Sequence, residues 1–180
     1  MIESIVHIHD LSFQLYITPQ QIQERVLHLG QKIAQDYEGD PPVFVVVLNG
    51  AFIFAADLVR ATPLSTTIRF VQLSSYQGLS STGEIEVVLG LKEEEVAGRP
   101  LIIIEDVVDT GNTLAWFKED LIKMKPKSVK IASLLLKPDA LQHPIEVDYL
   151  GFSIPTEFVI GYGLDYNEGG RDLAGIYQKI

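Results

Sequence analysis

The sequence predicts an α/β protein built on a mainly parallel sheet flanked by helices, and three observations carry that prediction. Two β-branched runs, VFVVVL at 43–48 and LIII at 101–104, are too evenly apolar for strands with one wet face, so they read as strands buried on both sides. Segments of helical period separate such runs. Each run also closes on turn residues, Asn49-Gly50 after the first and Asp109-Thr110-Gly111 shortly after the second.

In chain order, Thr18-Pro19-Gln20-Gln21 is a helix start: a hydroxyl N-cap, proline at the first helical position and glutamine three residues after the cap. Ile22, Val26, Leu29 and Ile33 continue it as an amphipathic helix ending near Gly39. A second helix is expected over 51–60, stopping before Pro63, and a strand over 66–74. The segment SSYQGLSSTGE, 74–84, lacks any helical period and is expected to be a long mobile loop. Strand character resumes over 85–91, and EEEVAGRP, 93–100, reads as a charged connector. After the 101–104 strand comes a helix with Leu114, Phe117, Leu121 and Ile122 on one side, then a strand from Ser128 closed by Pro138. VDYLGF and FVIGYGLDY supply two more short strands. Alternation of this kind implies βαβ units whose ligands lie beyond the carboxyl ends of the strands.

The 180 residues, 47% of them hydrophobic, suit one domain with a sizeable core. Fourteen basic against 24 acidic residues give a formal charge of -10, which argues against nucleic acid as a partner. With no cysteine, disulfide scaffolds, zinc-thiolate sites and thiol nucleophiles are excluded. MIESIVHIHD lacks a basic region followed by an apolar core, and no apolar run approaches the roughly 18 residues that span a bilayer. A soluble cytoplasmic protein without membrane association is the expectation.

Chemistry concentrates in EDVVDTGNT, where Glu105, Asp106 and Asp109 crowd the strand-to-helix corner that ordinarily collects an anion. A plain turn, with Gly111 at positive φ and Thr110 or Asn112 capping the helix, accounts for the loop but leaves the acids unexplained. No Walker-type lysine is present, so a phosphate here would rest on neutral donors: the backbone N–H groups of 109–113 and the hydroxyls of Thr110 and Thr113. The Asp-Thr-Gly of an aspartic protease needs a following strand, whereas LAWFKEDLIKM has helical spacing. A receiver-type phosphoacceptor lacks its second acid pair near the first strand. Acids beside a phosphate loop make sense for a ligand that also carries hydroxyls and a metal, as a ribose 5-phosphate does.

IIIEDVVDTGNTL resembles the phosphoribosyl-diphosphate signature of the hypoxanthine-guanine phosphoribosyltransferase family. VVVLNGAFIFAADL, SSYQG, ASLLLKP and GFSIPTEFVIGYGLDYNEGGRD fit the same family in the same order, so the resemblance spans about 43–172. It implies the type I phosphoribosyltransferase fold as a single domain over 1–180, with a core at about 18–153 and a hood from the N-terminal segment and about 154–180. The implied reaction is purine salvage: phosphoribosyl diphosphate plus hypoxanthine or guanine gives the nucleotide and pyrophosphate, with Mg²⁺.

The resemblance also implies roles for matching residues. Glu105 and Asp106, as bare carboxylates, accept from the ribose hydroxyls; Asp109, Thr110, Gly111, Asn112 and Thr113 wrap the 5-phosphate; Asp109 is the general base. Asn49 and Gly50 approach the pyrophosphate through a loop that commonly holds a non-proline cis peptide, between Leu48 and Asn49 here, and Arg171 reaches the same group. Most relatives carry a basic residue where this chain has Asn49. Lys137, Phe158, Val159 and Asp165 form the purine side, where a lysine donor suits a 6-oxopurine rather than adenine. Asp165, Glu105 and Asp106 are the metal-associated acids, and Ser75-Tyr76 the lid pair. The implied assembly is a homodimer or homotetramer. A xanthine-preferring enzyme and a non-catalytic phosphoribosyl-diphosphate sensor are the alternatives.

Overall fold

The structure, a computed structural model, describes residues 4–75 and 85–180, with only the backbone described at 74, 75, 85 and 86. Ten strands and four helices are found among them. An N-terminal hairpin, β1 (Ile5–Ile8) and β2 (Leu11–Ile17), precedes α1 (Pro19–Asp36). Next come β3 (Val43–Leu48), α2 (Phe52–Ala61), β4 (Thr67–Ser75) and β5 (Ile85–Leu89). After α3 (Glu93–Val96), β6 (Pro100–Val108), α4 (Asn112–Lys123), β7 (Ser128–Leu136) and β8 (Tyr149–Ser153) follow. Strands β9 (Val159–Ile160) and β10 (Ile176–Lys179) end the described chain.

Six strands form the main sheet in the order β5-β4-β3-β6-β7-β8, parallel except for the antiparallel β4–β5 pair. The evenly apolar runs fill both of its faces. Phe44, Val46, Ile102 and Ile104 point to one side against Ile22, Leu29 and Ile33 of α1 and Phe54 and Leu58 of α2. Val43, Val45, Leu101 and Ile103 point to the other, against Leu114, Phe117 and Leu121 of α4. Period-two alternation between two apolar layers is why neither strand has a polar position to spare. A second, antiparallel sheet, β1-β2-β10-β9, carries its own small core of Val6, Phe13, Ile160 and Tyr177.

Helix α1 begins as its sequence dictates: the Thr18 hydroxyl accepts from the Gln21 amide at 3.3 Å while Gln21 Oε1 accepts from the Thr18 amide at 2.9 Å. Other elements depart from expectation. The 93–100 connector contains the single-turn α3, held by buried Val96 and the Arg69–Glu95 ion pair at 2.7 Å. Strand β5 stops at Leu89, and Ile122 is exposed because α4 turns only Leu114, Phe117 and Leu121 inward. Neither Thr110 nor Asn112 caps α4. Gly111 does so in the left-handed region (φ 80°), without a side-chain cap bond. Strand β6 runs on through the acids, since Glu105 pairs with Ser133 and Val107 with Leu135 of β7. The long loop expected at 74–84 lies almost wholly outside the described residues. Among those described, no helix is long and apolar enough to cross a membrane.

Candidate active site

The carboxyl ends of β3, β6 and β7 meet at the acid-rich corner. Two cavities open there, and they share Val107 and Asp109. The first, about 240 Å³, is lined by Glu105, Asp109, Thr110, Gly111 and Thr113 over an apolar floor. The second, about 260 Å³, is lined by Asp106, Asp109, Lys137, Phe158, Val159 and Asp165. The corner thus separates a basin facing the start of α4 from one facing the smaller sheet.

The first basin has the local geometry that can receive an anion. The opening turn of α4 presents backbone N–H groups that lack intrahelical partners, and the helix dipole adds partial positive charge. The loop is braced from the segment after β7: the Gln142 amide donates to the Thr110 carbonyl at 3.0 Å, and Asn112 Nδ2 donates to Gln142 Oε1 at 2.9 Å. Sequence reasoning missed Gln142, which lies 30 residues from its partner and in no periodic segment.

The three acids differ in state. The Asp106 amide donates to Glu105 Oε1 at 3.2 Å, and the Val107 amide to Asp106 Oδ1 at 2.8 Å. Desolvation first, and the neighbouring Asp106 charge second, push the Glu105 carboxyl well above its ordinary range. Of the two carboxyls expected to face the ribose hydroxyls, that of Glu105 is therefore a weaker acid than its ordinary value would make it. Asp109 is half exposed and ion-paired with Lys137, Nζ to Oδ2 at 2.8 Å, while the Lys137 side chain is only 8% exposed.

Backbone packing closes the remaining side. The Leu48–Asn49 peptide is cis, as the resemblance implies. A Cβ on Gly163 (φ 107°) would lie 2.1 Å from the Gly50 carbonyl oxygen, so only glycine fits there, and one on Gly50 would lie 1.5 Å from Asp106 Oδ2, so any other residue would push that carboxylate aside. Gly163 is a second residue that sequence reasoning passed over, although its place in GYG hinted at close approach. Arg171 donates to the Gly163 carbonyl at 2.7 Å and pairs with Asp165 at 2.7 Å. The other Asp165 oxygen accepts from the Glu168 amide at 2.8 Å. Phe158 is 42% exposed, and Val159 is buried beside it in β9.

The structure thus brings Glu105, Asp106, Asp109, Thr110, Gly111, Thr113, Lys137, Phe158, Val159 and Asp165 around adjoining basins, with Gly50 packed on Asp106 and Arg171 on Asp165, while Asn112 turns away to Gln142. Asn49 is exposed. Among the described residues no three His, Asp or Glu side chains gather as a ready-made metal cluster; Glu105 lines the first basin, and Asp106 and Asp165 line the second. Ser75 ends β4, with its side chain undescribed, and Tyr76 falls outside the described residues.

Residues 15–167 match the family model described as "Phosphoribosyl transferase domain". The chain belongs to the phosphoribosyl transferase family. It is 41% identical over 166 residues to the hypoxanthine-guanine phosphoribosyltransferase of Mycobacterium tuberculosis (strain ATCC 25618 / H37Rv), covering 89% of this chain and 82% of that one. It is 39% identical over 170 residues to the hypoxanthine phosphoribosyltransferase of Escherichia coli (strain K12), covering 93% and 95%. Among solved structures, a hypoxanthine-guanine phosphoribosyltransferase from Bacillus anthracis superposes with a TM-score of 0.86 at 36% identity, covering 93% of this chain and 96% of that chain. Across this phosphoribosyl transferase, then, the resemblance seen in short motifs extends to a superposition over 93% of the chain.

Proposed function

We propose that this phosphoribosyl transferase makes purine nucleotides from hypoxanthine or guanine and phosphoribosyl diphosphate. The observation that carries the reading is the pair of basins hinged on Asp109, one suited to a sugar phosphate and the other to a flat 6-oxo base. The 5-phosphate lies on the amides and hydroxyls of Asp109 to Thr113. Asp106 and Glu105 face the ribose hydroxyls, and the Asn49-Gly50 backbone and Arg171 face the pyrophosphate.

In the second basin Phe158 stacks on the purine, Val159 meets its edge through the main chain, and Lys137 donates to the 6-oxo group. The free protein holds Lys137 and Asp109 against each other, so the purine enters by replacing that ion pair with its own donor and acceptor. Purine N9 then bonds to the ribose C1 as the C1–oxygen bond to pyrophosphate breaks, and the proton leaving the five-membered ring passes to Asp109.

A Mg²⁺ ion fits this donor set, because hard carboxylate oxygens on two sides of the basin suit a cation bound chiefly through substrate and water. When bound it supplies charge neutralisation for the departing pyrophosphate. Asp106 and Asp165 would hold it, with Glu105 behind Asp106. The smaller sheet serves as a hood over the base, Ser75 and Tyr76 as the lid pair, and the chain works as a cytoplasmic homodimer or homotetramer; these points are carried from the family resemblance.

The test is incubation with Mg²⁺, phosphoribosyl diphosphate and each of hypoxanthine, guanine, xanthine and adenine, following nucleotide formation. Product with hypoxanthine or guanine and none with adenine is expected. A preference for xanthine would redirect the substrate assignment, and no product with any base would overturn the reading.

A further inference from the structure

The tip of the β1–β2 hairpin meets the turn that follows Leu164 at two points. The Tyr166 hydroxyl donates to Asp10 Oδ1 at 2.9 Å, and His9 Nε2 donates to the Asn167 carbonyl at 3.1 Å. The Tyr166 ring in turn stands edge-on to Phe158, with centroids 5.9 Å apart and planes at 81°. Phe13 of β2 supports the same two rings, 6.2 Å from Phe158 and 6.4 Å from Tyr166. Phe158 is an exposed ring in the loop just before the two-residue strand β9, so no regular element of its own fixes its orientation.

We infer that Tyr166, latched by Asp10, is a positioning residue that holds Phe158 in the plane a purine stacks on; this rests on the purine reading of the second basin. A stacking ring contributes only if its tilt is fixed before the ligand arrives, and an edge-to-face neighbour fixes tilt because the positive ring edge is drawn to the negative face. The hydroxyl bond keeps Tyr166 from swinging away into solvent. The latch joins residues 156 positions apart, and neither touches the first basin.

The test is steady-state kinetics of D10A, Y166F, their double variant, D10N and Y166A, alongside calorimetric binding of inosine 5′-monophosphate and of ribose 5-phosphate. Y166A should raise the purine KM and weaken the nucleotide about fivefold, with the KM for phosphoribosyl diphosphate and the affinity for ribose 5-phosphate unchanged. D10A and Y166F should each give about a twofold effect, the double variant no more than either, and D10N, which keeps an acceptor, should restore most of it. A Y166A or Y166F that alters both substrates equally, or neither, overturns the latch. Tight nucleotide binding without turnover in the unaltered protein would overturn the catalytic reading alone, since the binding comparison still decides the latch. Failure to bind the nucleotide at all would overturn both.

Discussion

Glu105 is the residue whose state most constrains the chemistry. The folded protein raises its carboxyl above the ordinary 4.5, so between that value and the folded one the native chain keeps a proton that the unfolded chain has lost. Unfolding releases the proton there, and stability contributed by this group falls as pH rises through the window. Replacing Glu105 with Gln should therefore flatten the dependence: in urea titrations from pH 5 to 8, the gain of E105Q over the unaltered protein should grow with pH. Parallel curves would show that Glu105 ionises freely. Asp109 is probed best by Asn, which retains an acceptor for the nearly buried Lys137 ammonium. D109N should lower kcat on the order of a hundredfold while calorimetry shows phosphoribosyl-diphosphate binding preserved. An unchanged rate would remove Asp109 from proton transfer.

Single elements show where local pattern suffices. Helix α1 could be read from its first four residues, because proline, cap and Gln21 act within one turn. At the start of α4 the positive φ of Gly111 is legible in the sequence, but the cap expected from Thr110 or Asn112 is not made, because Gly111 itself takes the N-cap position by its backbone. Apolar Leu11, Phe13, Leu15 and Ile17 alternate in β2, yet pairing with β10 is decided by residues some 160 positions away, which no local pattern encodes. The brace on the phosphate loop is equally non-local. Replacing Gln142 with Ala removes one hydrogen bond from Asn112 but not the backbone bond to Thr110, so the KM for phosphoribosyl diphosphate should rise about three- to fivefold. The purine KM should stay constant; a rise in both would mean the whole corner had loosened.

Taken whole, the molecule forms its site where two sheets meet, and the motifs were readable while their mutual contacts were not. The approach of Gly163 to Gly50, for example, joins the smaller sheet's loop to the end of β3 and exists only once both are folded. Ligands that bind only the folded state should stabilise it. Phosphoribosyl diphosphate with Mg²⁺, at about a hundredfold excess over its Kd, should raise Tm by about 5–10 °C, read by scanning calorimetry. No shift would argue that the corner is not a sugar-phosphate site. The strand order of the smaller sheet has a further consequence for biosynthesis. Strand β10 lies between β2 and β9, so β9, which carries Val159, has no sheet partner until residues 176–179 have left the ribosome. The phosphate corner is braced much earlier in the chain, by Gln142 and by Leu141, His143 and Ile145 packed around Gly111. A nascent chain can therefore complete the proposed phosphate corner first, whereas the sheet beneath the proposed base pocket closes only with its last strand.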